Sequence, residues 1–283
     1  MCADNKNSNH SIEKAVNLVK DITDAVPVYP DLIQPAAKEL GKSLQTVAKL
    51  VNVALAPVTA LIWGYDKIGD FLSKRLAEKL ENVAEGNIIT PSAQVAGPAI
   101  ESLKYVGEDE NLRELYANLI ASAMNKEVAD KAHPAYVEIL KNLSSTEALL
   151  LKAFIKRSSY PLIDLDINVN HEGTVGGFSL YSNYSIFHKD LGLPFDNINK
   201  CIDNLCRLGL TQIPKGQILT SPNAYLEIEK SVFLDFPKAA FLQLGEGLKL
   251  KTNRKLIEIT IFGKDFLQTV VDENYKSTKS IIE

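Results

Sequence analysis

Cysteine is scarce and unpaired in this sequence of 283 residues. Cys2, Cys201 and Cys206 form no C-x-x-C pair, which excludes a disulfide framework and a zinc ribbon. An excess of one charge is lacking as well, because 31 basic and 35 acidic side chains leave a net charge of -4. The chain as a whole therefore has no general attraction for the phosphate backbone of a nucleic acid.

Familiar catalytic and cofactor-binding motifs are also absent from the sequence. It contains no G-x-S-x-G elbow, no G-x-x-x-x-G-K-[ST] loop, no H-E-x-x-H pair and no G-x-G-x-x-G fingerprint. The histidines are scattered, at His10, His133, His171 and His188. We therefore predict no catalytic residue, cofactor, metal site or small-molecule substrate, although an enzyme with an unrecognised site stays open as an alternative.

The first 11 residues are polar and lack the apolar segment of a signal peptide. Together with the unpaired cysteines, this predicts a cytoplasmic protein. The length and an apolar content of 46% are enough for two domains with buried cores. We expect residues 1–11 and 276–283 to be flexible.

The first half of the sequence has helical patterns. Apolar residues recur at helical spacing from Ile12 onward and again between Ile68 and Leu80. Capping chemistry predicts further helix starts at Thr90-Pro91, Gly97-Pro98, Asp109 and His133-Pro134. These patterns predict a helical domain over residues 12–143.

The most apolar segment is uncharged from Leu50 to Tyr65 and has Pro57 near its middle. A bilayer span needs about 20 apolar residues, which is more than this segment offers. One interpretation is two buried helical segments that meet at a proline kink. The other is a sheltered hairpin that contacts a membrane or a partner, with Pro57, Trp63 and Tyr65 as contact residues. In that case the protein would be membrane-associated when active.

The second half changes period and predicts an α+β domain over residues 144–275. Ser144 and Glu147 form a capping box, and alternating apolar residues between 162 and 169 predict a strand. Residues 188–213 have helix-turn-helix spacing, with glycines at 192 and 209. Strands are expected at 210–213, 218–220 and 256–262, and then a helix from Gly263. This order is typical of a winged-helix domain, here the smaller part of a mainly α chain.

A helix-turn-helix also raises the question of DNA binding. The polar positions of its second helix carry two acids and two bases: Asp196, Asn197, Asn199, Lys200, Asp203, Asn204 and Arg207. Because these charges cancel, the helix has little electrostatic attraction for phosphate groups. We therefore expect contact with a protein partner, or self-association, rather than binding of nucleic acid. A DNA-binding regulator remains the alternative.

Several short motifs in residues 46–154 are similar to those of one bacterial family. They are Ala56-Pro57, Trp63-Gly64-Tyr65, Thr90-Pro91, Ala96-Gly97-Pro98, the segment LRELYANL from Leu112 to Leu119, and His133-Pro134. On these motifs the chain resembles the abortive infection alpha family. The resemblance implies bacterial antiviral defence, in which an infected cell dies or stops growing before phage is released. It implies no established reaction and supplies no catalytic residues.

Three polar residues within these motifs are candidates for a contact or switch. Arg113 and Asn118 lie five positions apart in an apolar helix, so they form either a buried structural pair or a contact site. His133 precedes a proline at a predicted helix start, where capping or packing is expected over general-base chemistry. The functional class thus stays open among a contact effector, a DNA-binding regulator and an enzyme.

Overall fold

Residues 64–171, 174–235 and 248–271 are described by the structure, a computed structural model. They divide into two units. The first contains the residues up to Leu143 together with residues 268–271, and the second is Ser144–Leu267. Pro57, Trp63 and nearly all of the uncharged segment lie outside the described residues.

The described part of the first unit consists of helices. They are α1 (Tyr65–Leu80), α2 (Ala93–Val106), α3 (Glu110–Met124) and α4 (Ala135–Lys141), with 3-10 turns at Glu85–Asn87 and Ala129–Lys131. The predicted cap of α3 is confirmed, since the Asp109 carboxylate accepts a hydrogen bond of 3.1 Å from the Leu112 amide. The apolar stripe of α1 is buried, with Ile68, Leu72 and Leu76 at most 1% exposed.

The predicted helix start at Gly97-Pro98 is wrong, because α2 continues through Pro98. Proline lacks the amide that would bond the preceding turn, which costs helix stability. The residues on either side of Pro98 are nevertheless buried, Val95 and Ala96 before it and Ala99 and Ile100 after it. Packing of this apolar face therefore outweighs the local penalty of the proline.

The second unit combines helices with a four-stranded antiparallel sheet. Its elements are α5 (Ser145–Lys156), β1 (Ser159–His171), β2 (Thr174–Tyr184), α6 (Phe187–Leu191), α7 (Phe195–Arg207), β3 (Thr211–Gln212), α8 (Leu226–Asp235), β4 (Leu248–Ile259) and α9 (Ile261–Phe266). A π-helical turn follows at Leu267–Val271. The strand order is β2-β1-β4-β3.

Side chains alternate between the two faces of the sheet along β1, and one of these faces is covered by a helix. Ile163 and Leu165 are fully buried and pack in one cluster with Ile228 and Val232 of α8. The residue between them, Asp164, points to the other face and binds Lys255 of β4 at 3.0 Å. Helix α8 therefore covers the apolar face of the sheet.

The chain is mixed α+β, so the prediction of a mainly α protein was too narrow. The predicted helix-turn-helix is confirmed, because Gly192 ends α6 with a φ of 65° and α7 begins at Phe195. The hairpin of β1 and β2 precedes this motif, however, whereas a winged helix was expected to have its hairpin after it. Residues 218–220 form no strand, and α8 lies between β3 and β4.

Candidate contact site

The second helix of the helix-turn-helix, α7, uses polar side chains within its own unit. The Asn204 amide donates a hydrogen bond of 2.8 Å to the Glu147 carboxylate, and the Asn199 amide donates to the Ser182 carbonyl. The Asp203 carboxylate accepts a hydrogen bond of 3.3 Å from the end of β2. Side chains that read DNA must reach base edges in a groove. These three are already engaged elsewhere, which argues against that use of α7.

A cleft of about 630 Å³ lies in the second unit. Its walls are Arg157 with the first residues of β1, helix α6 with the residue before it, and the first turn of α8 with the segment that leads into it. The apolar lining consists of Pro161, Ile186, Leu219, Ala224 and Ile228. Pro161 and Ile228 are buried, so the apolar surface is continuous with the core beside the sheet. Clefts of roughly 300–1,000 Å³ with such a lining are typical of binding sites.

Charged side chains lie around the rim of this cleft. They are Arg157 after α5, Asp190 in α6 and Glu227 in α8, and all three are exposed. Thr220, Ser221 and Asn223 add two hydroxyl groups and an amide. Within the described residues, none of the three charged groups forms a salt bridge, so both signs of charge remain available to a partner.

The Arg157 side chain rests on an aromatic platform. Its guanidinium carbon lies 5.2 Å from the ring centroid of Tyr160, a cation–π distance. The Tyr160 ring packs against Phe154 and Phe187, with centroid distances of 5.3 and 4.8 Å. Its hydroxyl group donates a hydrogen bond of 2.6 Å to the Ala153 carbonyl. The platform is thus fixed by contacts on several sides, which restricts the positions open to the guanidinium.

The electrostatics of the platform keep its phenol neutral. Burial raises the pKa of Tyr160, the positive charge of Arg157 lowers it, and the carboxylate of Asp190 raises it. Because the net direction is upward, the hydroxyl group stays protonated at neutral pH and can donate its hydrogen bond. Arg157 and Asp190 therefore act on the pKa of Tyr160 in opposite directions, and both line the cleft.

This arrangement provides the chemistry of recognition. A guanidinium presents several donors to a carboxylate or phosphate, and the carboxylates of Asp190 and Glu227 attract a cationic group. The apolar floor adds burial of a side chain or ring. The cleft can therefore hold an amphipathic group that carries charge at its edges.

The structure gives Arg113 and Asn118 separate contacts. Arg113 donates to the Gly107 carbonyl at 3.2 Å, and its guanidinium lies 5.5 Å from the ring centroid of Phe71. Asn118 is 7% exposed and donates a hydrogen bond of 2.8 Å to the carbonyl of Val270. In these contacts each side chain secures a different part of the first unit.

Asn118 and its neighbour one turn later hold the chain at the π-helical turn. Ser122 donates a hydrogen bond of 2.8 Å to the Thr269 carbonyl, next to the bond from Asn118 to Val270. Carbonyl groups in the last turn of a helix lack partners within the helix. Two buried side chains of α3 therefore satisfy backbone acceptors of residues 268–271.

The remaining candidates have simpler surroundings. His133 is exposed, and its Nδ1 accepts a hydrogen bond of 3.1 Å from the Ala135 amide at the start of α4. Tyr65 is the first residue of α1. Pro57 and Trp63 lie outside the described residues. None of the described candidates lines the cleft.

Sequence reasoning missed the cleft and its charged rim. Its lining residues are spread from 157 to 228 over three short segments. No spacing rule joins such segments, because tertiary packing brings them together. The segment from 221 to 235 also received no predicted element, although α8 supplies Glu227 and Ile228 to the cleft.

Residues 64–171, 174–235 and 248–271 contain no group of three or more histidine, cysteine, aspartate or glutamate side chains that could hold a metal ion. No helix in that same part of the chain is long and apolar enough to cross a bilayer.

Comparison with known proteins identifies a family. The family model described as abortive infection alpha matches residues 64–270, which include most of both units. This confirms the family that the motifs predicted, and the match extends from residue 64 through most of the second unit. No curated protein and no solved structure matches the chain.

Proposed function

Because the chain belongs to the abortive infection alpha family, we propose that it restricts phage growth in bacteria by contact with a partner protein. The observation that carries this proposal is the family match, which covers well over half of the sequence. We place the protein in the cytoplasm, where phage replication takes place.

The contact is assigned to the cleft of the second unit. Support comes from the apolar floor, which includes the buried Ile228, and from rim charges that form no salt bridge within the described residues. An interface typically combines an apolar centre with a polar rim. The cleft has this composition on a small scale, which suits the capture of a short segment of a partner.

A winged-helix-like role for α6, α7, β3 and β4 fits the same proposal. Such modules use a helix-turn-helix either to read DNA or to contact a protein, and the internal hydrogen bonds of Asn199 and Asn204 argue against the first use. DNA regulation stays the second candidate, and a nanomolar footprint at one operator would establish it in place of protein contact.

Membrane contact through Leu50 to Tyr65 is tested by leakage of liposomes exposed to the purified protein.

Phage plating tests the proposal. Cells that express the protein should show fewer plaques or reduced survival after infection than cells without it, across a broad phage panel. The double variant Arg157→Gln and Glu227→Gln should lose this restriction at unchanged expression. The control Lys126→Gln removes an exposed charge in the first unit and should restrict like the native protein. Equal plating with and without the native protein would refute the defence assignment.

A further inference from the structure

The geometry points to a specific class of occupant for the cleft. We propose that it binds a short peptide segment with an apolar side chain between one acidic and one basic residue. This inference rests on the proposed function, since it specifies the chemistry of the partner in that contact.

The apolar part of the occupant follows from the floor. Ile186, Leu219 and Ala224 are half-buried and present apolar surface to the cleft, and the buried Ile228 and Pro161 lie behind them. A polar group placed against this surface would lose its bonds to water without replacement, which disfavours binding. An aliphatic or aromatic side chain instead gains free energy from burial. The middle of the bound segment is therefore apolar.

The charged parts follow from the rim. Arg157 is held on the Tyr160 ring at 5.2 Å, so its guanidinium is positioned before a carboxylate arrives. Asp190 and Glu227 supply negative charge for a lysine or arginine side chain. A segment with both signs of charge can satisfy all three groups.

The same rim disfavours a nucleotide or another polyphosphate. Such a ligand carries several negative charges, whereas the charged lining contains two carboxylates and one guanidinium. Repulsion from Asp190 and Glu227 would oppose the attraction of Arg157. A segment with balanced charges meets no such opposition, and this favours a peptide.

The test uses blocked tripeptides and the full-length, ¹⁵N-labelled protein. The probes are acetyl-Lys-Leu-Glu-amide and acetyl-Glu-Leu-Lys-amide, which present both orders of charge. At least one should shift the backbone amide signals of Ala224 and Ile228 in a saturable titration. Replacing its acid with glutamine, its base with glutamine or its leucine with serine should each weaken binding by about threefold to tenfold. ATP serves as the polyanionic control and should not produce these shifts.

Variants of the rim residues test whether the peptide binds in the cleft. Arg157→Gln should abolish the advantage of the acidic residue and keep that of the basic one, and Glu227→Gln should weaken the preference for the basic residue. Lys126→Gln should change neither preference. The inference fails if neither probe shifts these amides, if all peptides bind alike, or if the shifts lie elsewhere. If a variant does not fold by circular dichroism, the peptide series on the native protein still decides.

The two proposals can fail separately. If no peptide binds but rim variants lose phage restriction, the contact stands and the assigned partner chemistry is wrong. If the peptides bind as expected but the rim variants restrict phage fully, the cleft binds peptides without serving defence.

Discussion

At the scale of single residues, burial of a polar group changes what that group can do. Tyr116 in α3 is fully buried, and burial raises the pKa of its hydroxyl group to about 12. The helical spacing of Leu112, Leu115, Leu119 and Ile120 predicted that this face of α3 would be internal, and all four are buried. The size of the effect on Tyr116 could not be predicted, because it depends on neighbours that only the folded chain supplies.

Alkaline pH should destabilise the protein through Tyr116. An unfolded tyrosine ionises near pH 10, and the folded pKa is higher, so the stabilising contribution is complete below about pH 10. It should decrease on the order of 2 kcal/mol as pH rises from about 10 to 12. Chemical unfolding at several pH values should show a smaller decrease for Tyr116→Phe. The control Tyr105→Phe, at a side chain that is 72% exposed, should follow the native curve. If Tyr116→Phe has the same pH dependence as the native protein, Tyr116 is not the source.

At the scale of elements, Glu147 joins two helices of the second unit. Its carboxylate accepts hydrogen bonds from the Ser144 amide at 2.6 Å and from the Asn204 amide at 2.8 Å. The first bond completes the capping box of α5, which the sequence predicted. The second is a tertiary contact with α7, which local sequence does not encode. One side chain thus shows both what was predictable and what was not.

Removal of the Glu147 carboxylate should therefore have two separable effects. Glu147→Ala should lower the free energy of unfolding by about 2–3 kcal/mol, since both the cap and the bond to Asn204 are lost. A double-mutant cycle with Asn204→Ala should assign about 1 kcal/mol to the tertiary bond. As a control, Glu138→Ala removes an exposed helical ion pair and should cost less than about 1 kcal/mol. Strict additivity in the cycle would mean that the bond contributes nothing.

Other elements show where local rules fail. Capping chemistry located α5 and α3 within a residue, because these signals depend on groups three positions apart. The same rules placed a helix start at Pro98, where tertiary burial keeps α2 continuous. Local rules also do not predict the order of strands in the sheet, since β1 pairs with both β2 and the distant β4. The cleft was unpredictable for the same reason, as its lining comes from three segments.

At the scale of the whole molecule, α3 is joined to residues 268–271. Its side chains Asn118 and Ser122 donate hydrogen bonds to backbone carbonyl groups there. Asn118→Ala should lower the stability of the first unit by about 1–3 kcal/mol, because the buried carbonyl group of Val270 loses its donor. The measurement is hydrogen exchange of α3 amides, which should become faster. Asn197→Ala, an exposed position of α7, should leave exchange unchanged. Native exchange rates in Asn118→Ala would contradict the assigned role.

The return of residues 268–271 to the first unit also bears on synthesis at the ribosome. Helix α3 emerges about 150 residues before the carbonyl groups that Asn118 and Ser122 bind, since these contacts span 152 and 147 positions. The first unit to be translated is therefore completed only after Ser144–Leu267 of the second unit has been translated. A nascent chain that ends before Thr269 lacks both carbonyl acceptors, so the side chains of Asn118 and Ser122 cannot form these bonds. Translation past Val270 is thus a condition for forming these contacts of the first unit.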